Sequence, residues 1–182
     1  YQDQHQGLID RNGTVVLKPA YGEVRLQNDG TIQVRAKNEW SFLEGDNKLI
    51  RQYKADGVRP MSAAHYVIVT AGKLQLTNND FKPLHEDFFS SLSQFDHGKA
   101  LYRKSSRTGV ITTQGRVIIP PQYRQLEIDR DGCRACLDTG GKNRWIILDE
   151  SGKRLTEKNY EYIAPFNGKF YHKDKAQYSN NT

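Results

Sequence analysis

The chain has little of what a thick hydrophobic core or a membrane span requires. Only 36% of its 182 residues are hydrophobic, and the mean hydropathy is −0.78. No apolar run approaches the length of a transmembrane helix, so no membrane span is predicted. Thin layers with one face in water are expected instead of a thick globular core.

Helical periodicity, linkers and a start methionine are also missing. No stretch keeps apolar residues at helical spacing over a dozen positions, while ten Tyr and seven Phe favour strands. Without a Gly/Ser-rich or Pro-rich linker, one domain is predicted over residues 7–177, between flexible ends at 1–6 and 178–182. Because residue 1 is Tyr and not Met, an exported protein, periplasmic or secreted, is expected, with a cytoplasmic one as the alternative.

Catalytic motifs are missing as well. The sequence contains no nucleophile elbow, phosphate-binding loop, paired histidines on a helix or calcium-loop pattern. Asp10, Glu44 and Asp149 recur beside predicted turns, which indicates turn hydrogen bonding rather than acid–base catalysis. The chain is therefore predicted not to be an enzyme and to hold no cofactor and no metal.

What the chain does have is a degenerate repeat of roughly 34 residues. Five copies begin at residues 7, 41, 74, 109 and 146, and cover about 7–40, 41–73, 74–108, 109–145 and 146–177. Three landmarks recur in them: a turn residue, an aromatic residue eight positions later and a small residue 22 to 24 positions after each start. The turn residues are Gly13, Asn47, Asp80, Gly115 and Gly152; the aromatics are Tyr21, Phe88, Tyr123 and Tyr160, with none at the second copy; the small residues are Gly30, Ala64, Gly98, Gly132 and Gly168.

Each copy is typical of short strands joined by tight turns. In the first copy, apolar residues on both sides of Asn12-Gly13 predict a hairpin, and Ile32 and Val34 alternate on a further strand. We predict an all-β array of about five three-stranded antiparallel β-meander repeats. An open or curved solenoid is favoured over a closed propeller-like ring, because a propeller blade usually has four strands.

The repeat pattern resembles a known family. Gly-Leu-Ile-Asp-x-x-Gly, followed by Val-x-x-Pro-x-Tyr and a glycine before an alternating strand, is similar to the tryptophan-glycine (WG or KWG) repeat. The best copies run over residues 7–39 and 109–143, although no copy has both Trp and Gly. The resemblance implies a mostly bacterial, β-rich repeat scaffold without a defined catalytic motif.

Two pairs of residues invite a functional interpretation. Cys133 and Cys136 have CxxC spacing, but residues three apart on a strand point to opposite faces, so we expect Cys136 inside, Cys133 outside and no shared metal or disulfide. Trp40 and Trp145 each precede the first strand of a copy. They are candidate binding residues if exposed, and packing between repeats is the alternative.

Charge indicates where a partner binds. The segments 35–39, 71–73, 103–107, 138–144 and 172–175 follow the last strand of each copy and hold ten basic and three acidic residues, for a net +7 in a chain of net +6. The candidate binding residues in them are Arg35, Lys37, Lys73, Arg103, Lys104, Arg107, Lys142 and Arg144. We expect these turns to form a basic edge that meets an acidic surface.

Three functions fit such an edge. The first is a noncatalytic interaction module for an acidic protein, and the second is an inhibitor or immunity-type protein that neutralises a bacterial effector. The third is an enzyme or binder acting on an anionic glycan. Nucleic acid is a less favoured partner because no aromatic residues are interleaved with the basic ones.

Overall fold

The computed structural model describes residues 5–140, 142–166 and 169–173. Within them every regular element is a β-strand, and the strands pair antiparallel in six small sheets. The all-β prediction is confirmed. The described part of the chain has no helix that could span a membrane. Residues 1–4 and 174–182, where most of the predicted flexible ends lie, are outside the described residues.

The chain divides into two compact units, residues 1–83 (unit 1) and 84–182 (unit 2), and each is described by itself. The single domain predicted over 7–177 and the choice between solenoid and ring stay predictions. Unit 1 has a two-stranded sheet (β1–β2), a four-stranded sheet (β3–β6) and a three-stranded sheet (β7–β9). Its strands are β1 Gln6–Ile9, β2 Val15–Tyr21, β3 Glu23–Leu26, β4 Ile32–Ala36, β5 Glu39–Leu43, β6 Leu49–Lys54, β7 Gly57–Ser62, β8 His65–Thr70 and β9 Lys73–Asn78.

Unit 2 has sheets of the same three sizes in a different order: a four-stranded sheet (β10–β13), a three-stranded sheet (β14–β16) and a two-stranded sheet (β17–β18). Its strands are β10 Ser91–Leu92, β11 Lys99–Lys104, β12 Arg107–Thr112, β13 Val117–Tyr123, β14 Gln125–Asp129, β15 Gly132–Thr139, β16 Lys142–Leu148, β17 Tyr162–Phe166 and β18 Lys169–Lys173.

The predicted count of three strands per repeat is too low. The first, second and fourth copies each contribute four strands, and in the third and fifth the second strand shrinks to a single bridge, Thr77 with Pro83 and Leu148 with Arg154. Each larger sheet joins two copies, because the last two strands of one copy pair with the first strands of the next. The sheets therefore straddle the boundaries of the sequence repeats.

Side chains that accept turn amides shape the first hairpin of most copies. Asp10 Oδ1 accepts the amides of Asn12 and Thr14, both at 2.8 Å, and Asp149 Oδ1 accepts those of Ser151 and Lys153, both at 2.9 Å. The Ser151 hydroxyl donates to the same oxygen at 2.7 Å and lowers the pKa of Asp149 most, followed by the Lys153 amide. Asp10 and Asp149 thus hold turns, as the sequence indicated, whereas in the second copy Asp46 rather than Glu44 accepts a turn amide, that of Lys48.

The same turns correct the register of the third copy. Asn78 takes the position of Asp10, because its Oδ1 accepts the amides of Asp80 at 3.0 Å and Lys82 at 2.9 Å. The positive φ falls on Phe81, not on the predicted turn residue Asp80. The copy therefore starts at residue 75, one residue later than predicted, and the first four starts are 34 residues apart.

The aromatic landmark moves with this register. Phe89, eight residues after Phe81, is buried, whereas the predicted Phe88 is 46% exposed. The second copy also has its aromatic: Tyr53 pairs with Trp40 as Tyr21 pairs with Gln6 and Tyr123 with Thr108. The sequence count missed Tyr53 because it lies six positions after the turn residue Asn47, two fewer than the spacing of eight in the other copies.

Each unit has its own hydrophobic core. In unit 1 an aromatic cluster joins Phe42, Tyr66 and Phe81, whose ring centroids lie 5.2 to 5.4 Å apart. In unit 2 the core is mostly aliphatic, around Val110, Ile119 and Ile146. Edge-to-face packing of aromatic rings adds to the burial energy in unit 1.

Polar side chains tie successive sheets together at one repeat position. Gln33 of β4 is fully buried and donates to Val58 O of β7 at 3.2 Å. Arg134 of β15 donates to Ile163 O of β17 at 3.1 Å and also binds both oxygens of Asp129. The two acceptors occupy the same place in their hairpins, so this tether recurs in both units.

The prediction that Cys133 faces outward is wrong. Both cysteines are free and buried, with 2% of Cys133 and 1% of Cys136 exposed. Cys133 lies in the unit 2 core because β15 is the central strand of its sheet. Burial raises the pKa of its thiol to about 11. The described residues contain no group of three side chains able to hold a metal.

Candidate functional site

The predicted basic segments form the turns between β4 and β5, β8 and β9, β11 and β12, and β15 and β16. Lys37, Ala71 and Ser105 stand at the same place in their turns and have positive φ values of 57°, 50° and 58°. We call the four turns β4–β5, β8–β9, β11–β12 and β15–β16 the basic turns. Lys175 of the fifth segment lies outside the described residues.

The candidate basic residues differ in exposure and pairing. Lys37, Lys73, Arg103, Lys104 and Lys142 are exposed, and Arg35, Arg107 and Arg144 are half-buried. Lys104 Nζ is 2.8 Å from Asp87 Oδ2, and its hydrogen bond lowers the pKa of Asp87. Arg144 Nη1 lies 3.7 Å from Glu161 Oε1. The basic turns are therefore partly neutralised by neighbouring carboxylates.

The two basic turns of unit 1 meet at the segment that links its sheets. The Ala55 amide donates to Asn38 O at 2.9 Å, in the first turn, and Asp56 Oδ2 accepts the Ala71 amide at 2.7 Å, in the second. In unit 2 the equivalent link is Arg124, whose Nη1 donates to Asn143 Oδ1 at 3.3 Å. The position beside the turns thus changes from an acid in unit 1 to a base in unit 2.

A cleft opens between the sheets β3–β6 and β7–β9 of unit 1 at this link (cleft 1). Its volume is about 300 Å³, and the residues that line it are Glu23, Arg25, Arg35, Trp40, Asp56, Gly57, Val58, Arg59 and Val69. Glu23 pairs with Arg25 and, at 3.4 Å, with Arg35 Nε. Both guanidinium groups lie over the Trp40 ring, 5.4 and 5.5 Å from its centroid.

A second cleft opens in unit 2 between the sheets β10–β13 and β14–β16 (cleft 2). Its volume is about 490 Å³, and it is lined by Ser91, Ser93, Leu101, Arg103, Thr108, Arg124, Gln125 and Leu126. No carboxylate is among these lining residues in the described part of the chain. The Arg103 and Arg124 hydrogen bonds go to neutral acceptors, Ser106 O at 3.3 Å and Asn143 Oδ1 at 3.3 Å.

Strand pairing shows that the two clefts are equivalent. Glu23 pairs with Arg35, which pairs with Trp40; Ser91 pairs with Arg103, which pairs with Thr108. Asp56 and Arg124 are equivalent in the same way, because their amides donate to Val69 O and Cys136 O. Cleft 2 thus lacks both acids of cleft 1, since Ser91 replaces Glu23 and Arg124 replaces Asp56. It also lacks one arginine, because Ser93 takes the place of Arg25.

The two tryptophans have different surroundings. Trp40 is 2% exposed and lies in the core of unit 1, which matches the packing alternative. Trp145 is half-buried, and its backbone exchanges hydrogen bonds of 2.7 and 2.9 Å with Tyr160. Trp40 contributes to its cleft as the surface beneath two arginines.

Sequence reasoning found Arg35 and Arg103 but missed the residues that complete the clefts. Arg124 directly follows the landmark Tyr123, and that position could have been compared among the copies. Glu23 and Ser91 carry no such signal. Their roles depend on cross-strand pairing, which the sequence does not state.

The family comparison agrees with this repeat geometry. The family model described as WG containing repeat matches residues 7–40 and 109–136. The resemblance is thereby confirmed in the first and fourth copies, the two judged best from the sequence. The first match contributes Glu23, Arg25, Arg35 and Trp40 to cleft 1, and the second contributes Arg124 and Gln125 to cleft 2. No curated protein matches the chain.

Several solved structures share part of the arrangement. Hsv2 of Kluyveromyces lactis has 15% identity and a TM-score of 0.47, over 82% of this chain and 56% of its own. A Bacteroides caccae protein of unknown function has 13% identity and a TM-score of 0.37, over 86% and 75%. The Neurospora crassa Pan2 WD40 domain has 15% identity and a TM-score of 0.35, over 77% and 50%.

This chain spans between 52% and 58% of the length of the Hsv2 chains. Because each TM-score is below 0.5, no property of these proteins is transferred to it. What the WG repeat and the β-rich fold do support is a protein-interaction module.

Proposed function

We propose that the chain is a noncatalytic interaction module that binds an acidic partner protein through its basic turns. The observation that carries this proposal is the separation of charge along the strands. In an antiparallel sheet, alternate turns lie at opposite ends, and here one basic turn lies at one end of each of the four larger sheets. Exposed lysine and arginine side chains on these turns attract an acidic surface and steer its approach.

The acids at the opposite strand ends accept hydrogen bonds within their own turns. Asp29 and Asp46, at the β3–β4 and β5–β6 turns, accept the amides of Thr31 at 2.9 Å and Lys48 at 3.1 Å. Hydrogen bonds from Thr31 lower the pKa of Asp29. These carboxylates stabilise turns at one end, while the net positive charge lies at the other.

A charge-reversal triple at one basic turn tests the proposal. Arg103→Glu/Lys104→Glu/Arg107→Glu is compared with Lys48→Glu/Arg116→Glu/Arg130→Glu, which makes the same charge change at exposed residues of turns at the opposite strand ends. Partners are captured from the native organism, purified and titrated against both triples. We expect the first triple to lose at least about tenfold in affinity and the second less than about threefold.

Salt provides a second measurement on the same proteins. Binding to the wild type should weaken from about 0.05 to 0.5 M salt, because exposed charges are screened beyond a few ångströms at high ionic strength. Equal loss in both triples, or binding indifferent to salt, would contradict the basic turns as the binding surface. Capture of a bacterial effector would identify the inhibitor form of the function, and retention of an anionic glycan in place of protein would replace the proposed partner class.

A further inference from the structure

In unit 1 a carboxylate of the chain itself occupies the arginine cleft. Glu23 on β3 contacts Arg25 and Arg35, and its side chain is only 25% exposed. The two guanidinium groups rest on Trp40, so Glu23 lies between cations held in place by an aromatic surface. Cleft 1 thus shows that a carboxylate at this repeat position binds the arginine on the neighbouring strand.

In unit 2 the same place is open. Ser91 stands where Glu23 stands, opposite Arg103, and its short side chain cannot reach a guanidinium as Glu23 does. The other acid of cleft 1 is also replaced, since Arg124 stands at the position of Asp56. The lining charge of cleft 2 is therefore two positive charges with no carboxylate among its described lining residues.

Both acids of β14, the strand that follows Arg124, are already paired. Glu127 on β14 lies 2.8 Å from Arg134 Nη2, and its Oε1 accepts a hydrogen bond from Gln125 Nε2 at 3.1 Å. Arg134 also binds Asp129 at 2.9 Å, so a second acid of this strand faces Arg134 as well. Among the described side chains, the hydrogen bonds of Arg103 and Arg124 go only to neutral acceptors, which leaves both guanidinium groups able to bind an acid from another molecule.

The size and lining of cleft 2 suit a side chain with some backbone around it. Its volume of about 490 Å³ is within the range of small-ligand sites. Gln125 is exposed at its rim and offers an amide group, while Leu126 supplies a buried apolar wall. Guanidinium groups bind carboxylates through paired N–H donors.

We propose that cleft 2 binds an aspartate or glutamate side chain of the partner protein, whose carboxylate takes the place at Arg103 that Glu23 takes at Arg35 in unit 1. Arg124 supplies the second cation at the edge of the adjoining basic turn. The proposal rests on the proposed function, and it places the acidic contact in a defined cleft rather than along the turns in general.

A variant that fills the cleft from within the chain tests the inference. Ser91→Glu supplies the carboxylate in cis, and Ser91→Gln is its neutral control of the same size. The probe is a fluorescent hexaglutamate peptide, titrated by fluorescence anisotropy at low salt. We expect Ser91→Glu to lower the affinity at least about tenfold and Ser91→Gln to stay within about threefold of the wild type. Circular dichroism melting establishes that both variants are folded.

Arg124→Gln and a second probe complete the experiment. Arg124→Gln should weaken hexaglutamate binding about five- to tenfold, because it removes one of the two cations. Linear inorganic hexaphosphate tests the ligand class. If it binds and hexaglutamate does not, the carboxylate assignment is overturned.

The outcomes separate this inference from the proposed function. If both Ser91 variants bind like the wild type while the basic-turn triple loses binding, cleft 2 is wrong and the proposed function stands. If Ser91→Glu and Ser91→Gln lose affinity equally, the carboxylate mimicry is wrong. If neither the Ser91 variants nor the basic-turn triple changes an observed affinity, both proposals fail.

Discussion

Unit 1 and unit 2 build the same cleft from the same repeat position and complete it in different ways. In cleft 1 a carboxylate of the chain itself, Glu23, pairs with two arginines that rest on a buried tryptophan. Cleft 2 has a threonine for the tryptophan, a serine for the glutamate, a serine for Arg25 and an arginine for the aspartate. One repeat position thus pairs with a carboxylate of the chain itself in one copy and, as we propose, with a carboxylate of the partner in another.

The tryptophan beneath cleft 1 should give the largest difference between the units. Trp40→Ala removes a side chain that is 98% buried, and we expect it to lower the free energy of unfolding by about 3–5 kcal/mol. Thr108→Ala at the equivalent place in unit 2 should cost about 1 kcal/mol. Urea unfolding followed by circular dichroism measures both. Equal losses would show that the two positions are not energetically different.

Removal of the internal carboxylate Glu23 should allow cleft 1 to bind an external carboxylate, as we propose for cleft 2. In Glu23→Ser, Arg25 and Arg35 lose their partner, and because this pair is partly exposed the cost should stay within about 1 kcal/mol. Isothermal titration with hexaglutamate should then show a second binding site per chain. Glu23→Gln keeps the side-chain size and removes only the charge, so it should also add the site if charge is the cause. If both variants still bind hexaglutamate at one site per chain, the absence of the carboxylate does not make cleft 1 equivalent to cleft 2.

The smallest expected effect concerns alkaline pH and unit 2. Cys133 stands where unit 1 has Ile32, and burial raises its thiol pKa to about 11. The native state therefore holds a proton that the unfolded chain releases near pH 9, so the stability contributed by this thiol is complete below pH 9 and falls as the pH rises toward 11.

Replacement of this thiol should flatten that dependence. Cys133→Val removes the titrating group with little change of volume, and urea unfolding at pH 8, 9 and 10 compares the slopes with the wild type. Tyr102, whose pKa burial raises to about 12, gives a similar decline only above pH 10 and remains in both proteins. Parallel slopes in the two proteins would contradict the assignment to Cys133.

Much of the fold follows from local chemistry that the sequence displays. The hairpins at Asp10–Gly13 and Asp149–Gly152 were predictable because a carboxylate that accepts turn amides and a glycine with positive φ act within five residues. The positions of the basic turns were predictable from the same repeat, because each follows the last strand of a copy. In the third copy, where Asn78 and Phe81 replace these residues, the predicted register is wrong by one position.

The repeat, the antiparallel pairing of its strands and the basic turns of the four larger sheets were all predictable from residues close together in the sequence. Tertiary structure decided which strands share a sheet, and with that the pairing of Glu23 with Arg35 and of Ser91 with Arg103. It also placed Cys133 in a core and Arg124 in a cleft, because these depend on what the neighbouring sheet presents. A repeat pattern acts over a few residues, whereas a cleft between sheets joins residues more than thirty positions apart, so only the packed fold shows which of them meet.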